Sequence, residues 1–375
     1  MKIFMLVLLT LLTQNAFSQI SETKEVRRSF ITLRSVAMGG AIVSASDDFS
    51  AVMYNPANLA ALKESELNMG FGGALDTSFT NFLSDISDAA SQTGPAQDIA
   101  IAQVLLNNQD ETFYFNAPMV SGITAKPNWG FAFIPINSAL SLTPRQTGGG
   151  ATDYAIEIEG YLDALAQFSY GRKYNEKIDW GVAVKSIFRT YVASTTNATD
   201  INGDDFFGDS TQNAGITFDV DLAMNYKFGE FKGIQPKASV VIRNLLDWGY
   251  TAISEDDGNV IPKLARTLDL GSEFELKKFW VFTPRITFDI RDIGVKNWDI
   301  AHGYHIGAEL DWKAYDWLQG AYRIGINKGY FSAGITAQFA WFRLDLASWG
   351  EEIGLVENDQ KKESRRVALN MSLDF

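Results

Sequence analysis

The sequence contains no cysteine, only two histidines and only nine prolines in 375 residues. Without cysteine no disulfide can staple the fold and no N-terminal cysteine can carry a lipid, so hydrogen bonding and burial must hold the mature chain together. Positive charge is also short, with 32 Lys and Arg against 45 Asp and Glu and a net charge of −13. Such a balance makes a nucleic-acid partner unfavourable. Long apolar runs are scarce too. Ile3 to Leu12, behind the lone charge of Lys2, falls well short of the ~20 residues of a membrane-spanning helix, and Ala16-Phe17-Ser18 follows it. Residues 1–18 therefore read as a signal peptide cleaved before Gln19. Nothing after it approaches transmembrane-helix length, so a chain that crosses a membrane must do so as a closed barrel. No linker, heptad or low-complexity tract divides it, and one large domain is expected.

What the sequence does have is two-residue alternation over segments long enough for a tilted strand to cross a bilayer. From 216 to 228, Ile216, Phe218, Val220, Leu222, Met224, Tyr226 and Phe228 share one face, while Thr217, Asp219, Asp221, Ala223, Asn225 and Lys227 share the other. One face suits lipid and the other a wet lumen. The same split recurs from Phe331 to Phe339, joined to Leu318–Ile326 through Asn327-Lys328-Gly329, a tight hairpin turn in which Gly supplies positive φ. Further strands are expected at 66–75, 113–125, 129–143, 160–173, 180–194, 235–247, 265–277, 280–293, 303–312, 342–349 and 366–375. These make about 14, separated by polar stretches at 195–213, 251–262 and 350–365. A soluble β-sandwich would show similar alternation. Two features favour the membrane. Val367, Leu369, Met371, Leu373 and Phe375 form an unbroken apolar stripe ending on an aromatic, and aromatics make up 13% of the chain. Trp129, Trp180, Trp248, Trp280, Trp312, Trp317 and Trp349 lie near strand ends, as interfacial girdles require. The expected fold is an all-β transmembrane antiparallel β-barrel of about 14 strands over residues 65–375, and its surroundings are outer-membrane lipid.

Between the signal peptide and the first strand, residues 37–62 carry a dense motif. Gly39, Gly40 and Ala41 allow backbone to approach backbone. Asp47 and Asp48 follow, and Asn55 can cap a short helix that has Pro56 at its first position and Leu59 and Leu62 on one face. An ordinary capped surface helix would satisfy these local rules. Elsewhere, Pro135 interrupts the apolar strand Phe131–Ile136, removes a ladder donor and favours a bulge. The segment from Phe82 to Leu106 suits two short helices broken at Gly94-Pro95, forming an extracellular cap.

The order Gly-Gly-Ala, Ala-x-Asp-Asp, Asn-Pro-Ala-x-Leu, at Gly39, Gly40, Ala41, Ala45, Asp47, Asp48, Asn55, Pro56, Ala57 and Leu59, resembles the N-terminal hatch of the FadL-type long-chain fatty-acid transporter superfamily, which also includes the PorV-like proteins of type IX secretion. Asn58 stands where members commonly have Gly. The resemblance implies that residues 19–64 fold into the lumen as a hatch. It further implies that an inward kink in an early strand opens the wall sideways, for which Pro135 is the candidate beside the alternative of a harmless bulge at the barrel rim, and that the ligand is a hydrophobic small molecule such as a long-chain fatty acid. The terminal Phe375 resembles the signal read by the barrel assembly machinery. The PorV-like members suggest an alternative role, holding a secretion partner at the cell surface of the outer membrane.

Catalysis finds little material. His302 and His305 are three apart, point to opposite faces of a strand and cannot share a site; His305 falls on the lumen side, where a hydrogen-bonded structural role is expected. No enzyme activity and no cofactor is implied. Asp200, Asn202, Asp204 and Asp205 have the oxygen spacing that begins many calcium loops, but Gly203 is misplaced and Thr211 stands where a bidentate Glu is needed. A solvated loop is the expected reading, and no metal site is assigned.

Overall fold

The computed structural model describes residues 31–150, 152–201, 211–254, 260–295, 298–352 and 363–375. Residues 1–18, read above as a signal peptide, and Asn202, Asp204 and Asp205 lie outside them. Fourteen antiparallel strands close into a ring: β1 (Glu66–Asp76), β2 (Phe113–Lys126), β3 (Trp129–Gln146), β4 (Tyr154–Lys173), β5 (Ile178–Asn197), β6 (Thr211–Lys227), β7 (Ile234–Arg243), β9 (Thr267–Leu276), β10 (Phe282–Ile293), β11 (Tyr304–Tyr315), β12 (Leu318–Asn327), β13 (Tyr330–Phe339), β14 (Phe342–Glu352) and β15 (Glu363–Asp374). Closure is made by β1 pairing with β15, which leaves the ring no unpaired edge. One strand outside the ring, β8 (Thr251–Ser254), pairs with the upper end of β6 and was not visible in the alternation.

The two faces of the wall sort by parity as expected. On β6, Phe218 and Tyr226 are exposed while Asp219, Asp221 and Asn225 are buried. Lys328 and Gly329 both take positive φ between the paired Asn327 and Tyr330, the geometry of a type I′ hairpin. Short turns close one end of the barrel. There the exposed aromatics stack in pairs, Tyr315 on Trp317 and Trp341 on Phe375, a girdle on the outward face. Trp349 does not join such a girdle. It shares parity with Arg343 and Asp345, so it points inward and is buried against Val36, Ala37, Ala347 and Ala368.

Among the irregularities of the ladder, two lie side by side on the neighbouring strands β2 and β3. On β3 the partners of Ile134 and Asn137 on β4 are Leu165 and Asp163, so Pro135 and Ile136 oppose too few residues and the inward parity changes from even to odd. On β2 the stretch from Asn116 to Met119, which contains Pro118, does the same against β1 and β3.

Helices α3 (Phe79–Ala90) and α4 (Pro95–Asn107) form the expected pair, broken at Gly94 with φ of 64°. They are numbered after two short helices, α1 (Leu33–Ala37) and α2 (Ala51–Tyr54), that precede β1. The α3–α4 pair does not cap the mouth. Phe79, Phe82, Ile86, Ile101 and Leu105 pack on Phe113, Leu142, Ile156 and Ile158, which lie on the outward face of β2, β3 and β4. The chain after β7 turns inward instead. Asn244 and Asp247 adopt positive φ and end the strand earlier than the alternation suggests, and Ile261 and Leu264 are buried among inward residues of β2–β5. Alternation alone cannot see this, because apolar residues in a connection carry no strand period.

Candidate functional site

The lumen is a packed interface, where alternation of the strands alone suggested a wet one. Inside the ring sit α1, α2 and the 3₁₀ turn Pro56–Ala60, with their intervening backbone. Turns within this irregular chain pair many of its own backbone groups, and the polar lumen face supplies donors to further carbonyls. Ser332 donates to Ala37, Arg291 to Gly40, Thr287 to Ala41, Ser169 to Val52 and Arg243 to Tyr54. In the other direction, the N–H of Val43 donates to Asp289 at 2.8 Å.

The motif residues take definite places in this interface. Gly39 and Gly40 have φ of 64° and 87°, and a Cβ on Gly40 would meet the ring of His305. His305 is buried with Nδ1 2.6 Å from the Gly39 carbonyl oxygen, the structural role its lumen position suggested. His302 lies apart, in a turn outside β11, against Asp299. Asn55 caps the 3₁₀ turn by accepting from Ala57 N–H at 3.1 Å, and its amide donates to Val43 O and to Asn225 Oδ1 on β6. Leu59 is fully buried with Ile123, Ala125 and Ala132. The capped turn is therefore interior, and not on the surface. Replacing Asn55 with alanine leaves one N–H uncapped and removes both donations; a loss of about 1–2 kcal/mol of protein stability is expected, to be read as a lower thermal midpoint in detergent.

Asp47 and Asp48 meet a charge cluster that the motif alone did not predict. Arg34 makes a two-pronged pair with Glu309 of β11 at 2.9 and 2.7 Å and also contacts Asp47 and Asp48. Arg285 of β10 joins Glu309, Asp47 and Glu273, and Arg323 of β12 donates to the second Glu309 oxygen at 2.6 Å. Three guanidiniums thus converge on one carboxylate whose side chain has no solvent exposure. Glu309 shares the parity of His305 and Arg323 that of Asn327, so both face inward, but nothing local links them to Arg34.

Asn58 was noted only as a departure from Gly. Its amide donates to Ser44 O and Ser46 Oγ, while its carbonyl oxygen accepts from Asn225 and Lys237. It therefore fastens the segment to β6 and β7. Also missed were lumen-facing glycines that serve as dents for the segment. A Cβ on Gly171 would run into the backbone of Pro56 and Ala60, one on Gly181 into that of Pro56 and Ala57, and one on Gly325 into that of Met38 and Gly39. Glycine on the polar face of an alternating strand was the available signal.

Pro135 lies apart from this charge cluster, at the β3 bulge. Beside the two bulges is a cavity of about 40 Å³ lined by apolar Ile31, Leu33, Val36, Met119 and Trp349, with Asn116 and Asn137 as polar groups. Asp200, the only described acid of the calcium-like run, accepts from Asn197 at 3.0 Å.

With this geometry in view, the solved structures can be compared. The chain is similar in fold to solved toluene transporters and a monoaromatic hydrocarbon channel. The toluene transporter TbuX of Ralstonia pickettii is 12% identical, covers 92% of this chain and 99% of its own, and superposes with a TM-score of 0.49. The CymD monoaromatic hydrocarbon channel is also 12% identical, with 92% and 97% covered and a TM-score of 0.49. The P. putida toluene transporter TodX is 12% identical, with 92% and 98% covered and a TM-score of 0.43. At these identities the likeness is one of fold. No family model and no curated protein matches the chain.

Proposed function

We propose that the chain is an outer-membrane passive transporter for hydrophobic small molecules, with long-chain fatty acids as the first ligand class to test, and that residues 31–64 act as its hatch. The observation that carries this reading is the coincidence of an apolar-lined cavity with two bulges on neighbouring strands. The cavity wall includes Asn116 and Met119 of one bulge and Asn137 of the other. A greasy molecule entering from outside would there pass from the apolar-lined cavity to bilayer without meeting bulk water. Bulges weaken the ladder where such an exit must form. At about 40 Å³ the cavity holds little more than a water or two. Passage therefore requires α1, which lines it through Leu33 and Val36, to shift.

The test is uptake of labelled oleate by cells lacking the gene and complemented with variants. Pro135→Val restores a backbone donor and a strand-favouring side chain at the β3 bulge. Uptake is expected to fall several-fold with the barrel still assembled; uptake equal to wild type would remove Pro135 from the route. The filled lumen favours one competing reading, a PorV-like attachment protein for a secretion partner. In that case the deletion strain would keep its uptake and lose a secreted protein.

A further inference from the structure

We propose that the α3–α4 hairpin is an interfacial anchor, lying on the outer leaflet at the headgroup boundary and inserting Ile99 and Leu106 into lipid. The inference rests on the barrel spanning a membrane, and its depth follows from counting along β4. On the outward face the lower girdle is marked by Phe168, which stacks with Trp129. About ten residues further up is Ile158. At ~3.3 Å per residue and a tilt near 45° that interval rises about 23 Å, close to the ~25 Å apolar band of such barrels. Ile158, with Ile156 and Leu142, is where α3 and α4 pack. Leu75, Phe115, Leu140 and Gly160 follow one another through successive pairings beside this patch. Phe79 stacks on Phe115 there, with centroids 5.5 Å apart.

A hairpin attached to the outward wall at that height continues the lipid-facing belt. Its own surface fits the position. On α4 the buried residues are Ile101, Ala102 and Leu105, and beside them Ile99 and Leu106 form an apolar edge left 58% and 43% exposed. Residues 77–112 include no Lys or Arg, so attraction to anionic headgroups contributes nothing and burial must supply the affinity. The partner is accordingly the hydrocarbon boundary itself, independent of headgroup charge.

The absence of cysteine makes single-site labelling clean. Nitroxide labels on Ile99→Cys and Leu106→Cys would be read by power-saturation spectroscopy in zwitterionic phosphatidylcholine nanodiscs, beside Asp88→Cys on α3 and Phe71→Cys on the outward face of β1. The expected result is that labels at 99 and 106 collide more with oxygen than with a water-soluble nickel complex, while the label at 88 shows the reverse. Water-like accessibility at 99 and 106, with the label at 71 in hydrocarbon, overturns the anchor alone. Water-like accessibility at 71 as well overturns the membrane reading beneath it. Dipolar broadening between labels on two copies would assign the edge to self-association and also overturn the proposal.

Discussion

Glu309→Ala is expected to release the N-terminal segment from a barrel that stays closed. Glu309 is wholly buried and accepts from Arg34, Arg285 and Arg323, so its loss leaves three guanidiniums crowded together with fewer carboxylates to share. Breaking a buried ion pair by removing one partner costs about 3–5 kcal/mol, because the charge left behind is uncompensated. That penalty falls on the contact between segment and wall, since Arg34 belongs to the former and Arg285 and Arg323 to the latter. The ring itself rests on backbone ladders that Glu309 does not supply through its side chain. Limited proteolysis in detergent should therefore cut within residues 31–62 far faster than in wild type, with unchanged heat-dependent gel migration of the barrel. Arg34→Met combined with Glu309→Leu should recover part of the loss, since coupled partners are not additive. Wild-type protection of the segment in Glu309→Ala would show that the cluster does not hold it.

Gly325→Val and Gly181→Val should open the lumen to ions. At both sites the added Cβ points into the backbone of the segment, Met38 and Gly39 in one case and Pro56 and Ala57 in the other. Overpacking against side chains costs about 1–3 kcal/mol because rotamers can yield. Backbone flanked by a fixed wall has no rotamer to change, so the segment must move as a body. In planar bilayers wild type is expected to stay closed and both variants to show persistent conductance. Gly122→Val is the control: its Cβ would find only the Phe133 carbonyl oxygen, at 3.8 Å, and conductance should stay at the wild-type level. Closed channels in Gly325→Val would mean that the wall can absorb the side chain and that the glycine dents are not needed for seating.

The wall was legible because its cause is local. A strand between hydrocarbon and a polar interior must alternate, so Phe218 with Asp219, or Leu369 with Asn370, declares both strand and side without knowledge of any neighbour. All fourteen ring strands stand near their expected places for this reason. The same rule, applied strictly, would also have turned Trp349 inward, since its parity outweighs its place near a strand end. Local chemistry likewise identified the Asn55 cap, the Lys328-Gly329 turn, the helix break at Gly94-Pro95 and a β3 bulge at Pro135.

Tertiary structure alone decided what fills the ring. Whether Asn55 and Pro56 begin a surface helix or an interior turn depends on Asn225, 170 residues away, and on the dents at Gly171 and Gly181. Arg34 finds Glu309 across 275 residues of sequence. The end of β7, the inward fold of Ile261 and Leu264 and the outward seat of α3 and α4 are of the same kind. By itself the sequence determined a closed wall with one apolar and one polar face and the local turns of the segment, because period and capping are set by adjacent residues. Only the folded chain decided that the polar face would meet irregular backbone in place of water, because unpaired carbonyls far apart in sequence must find their donors in space.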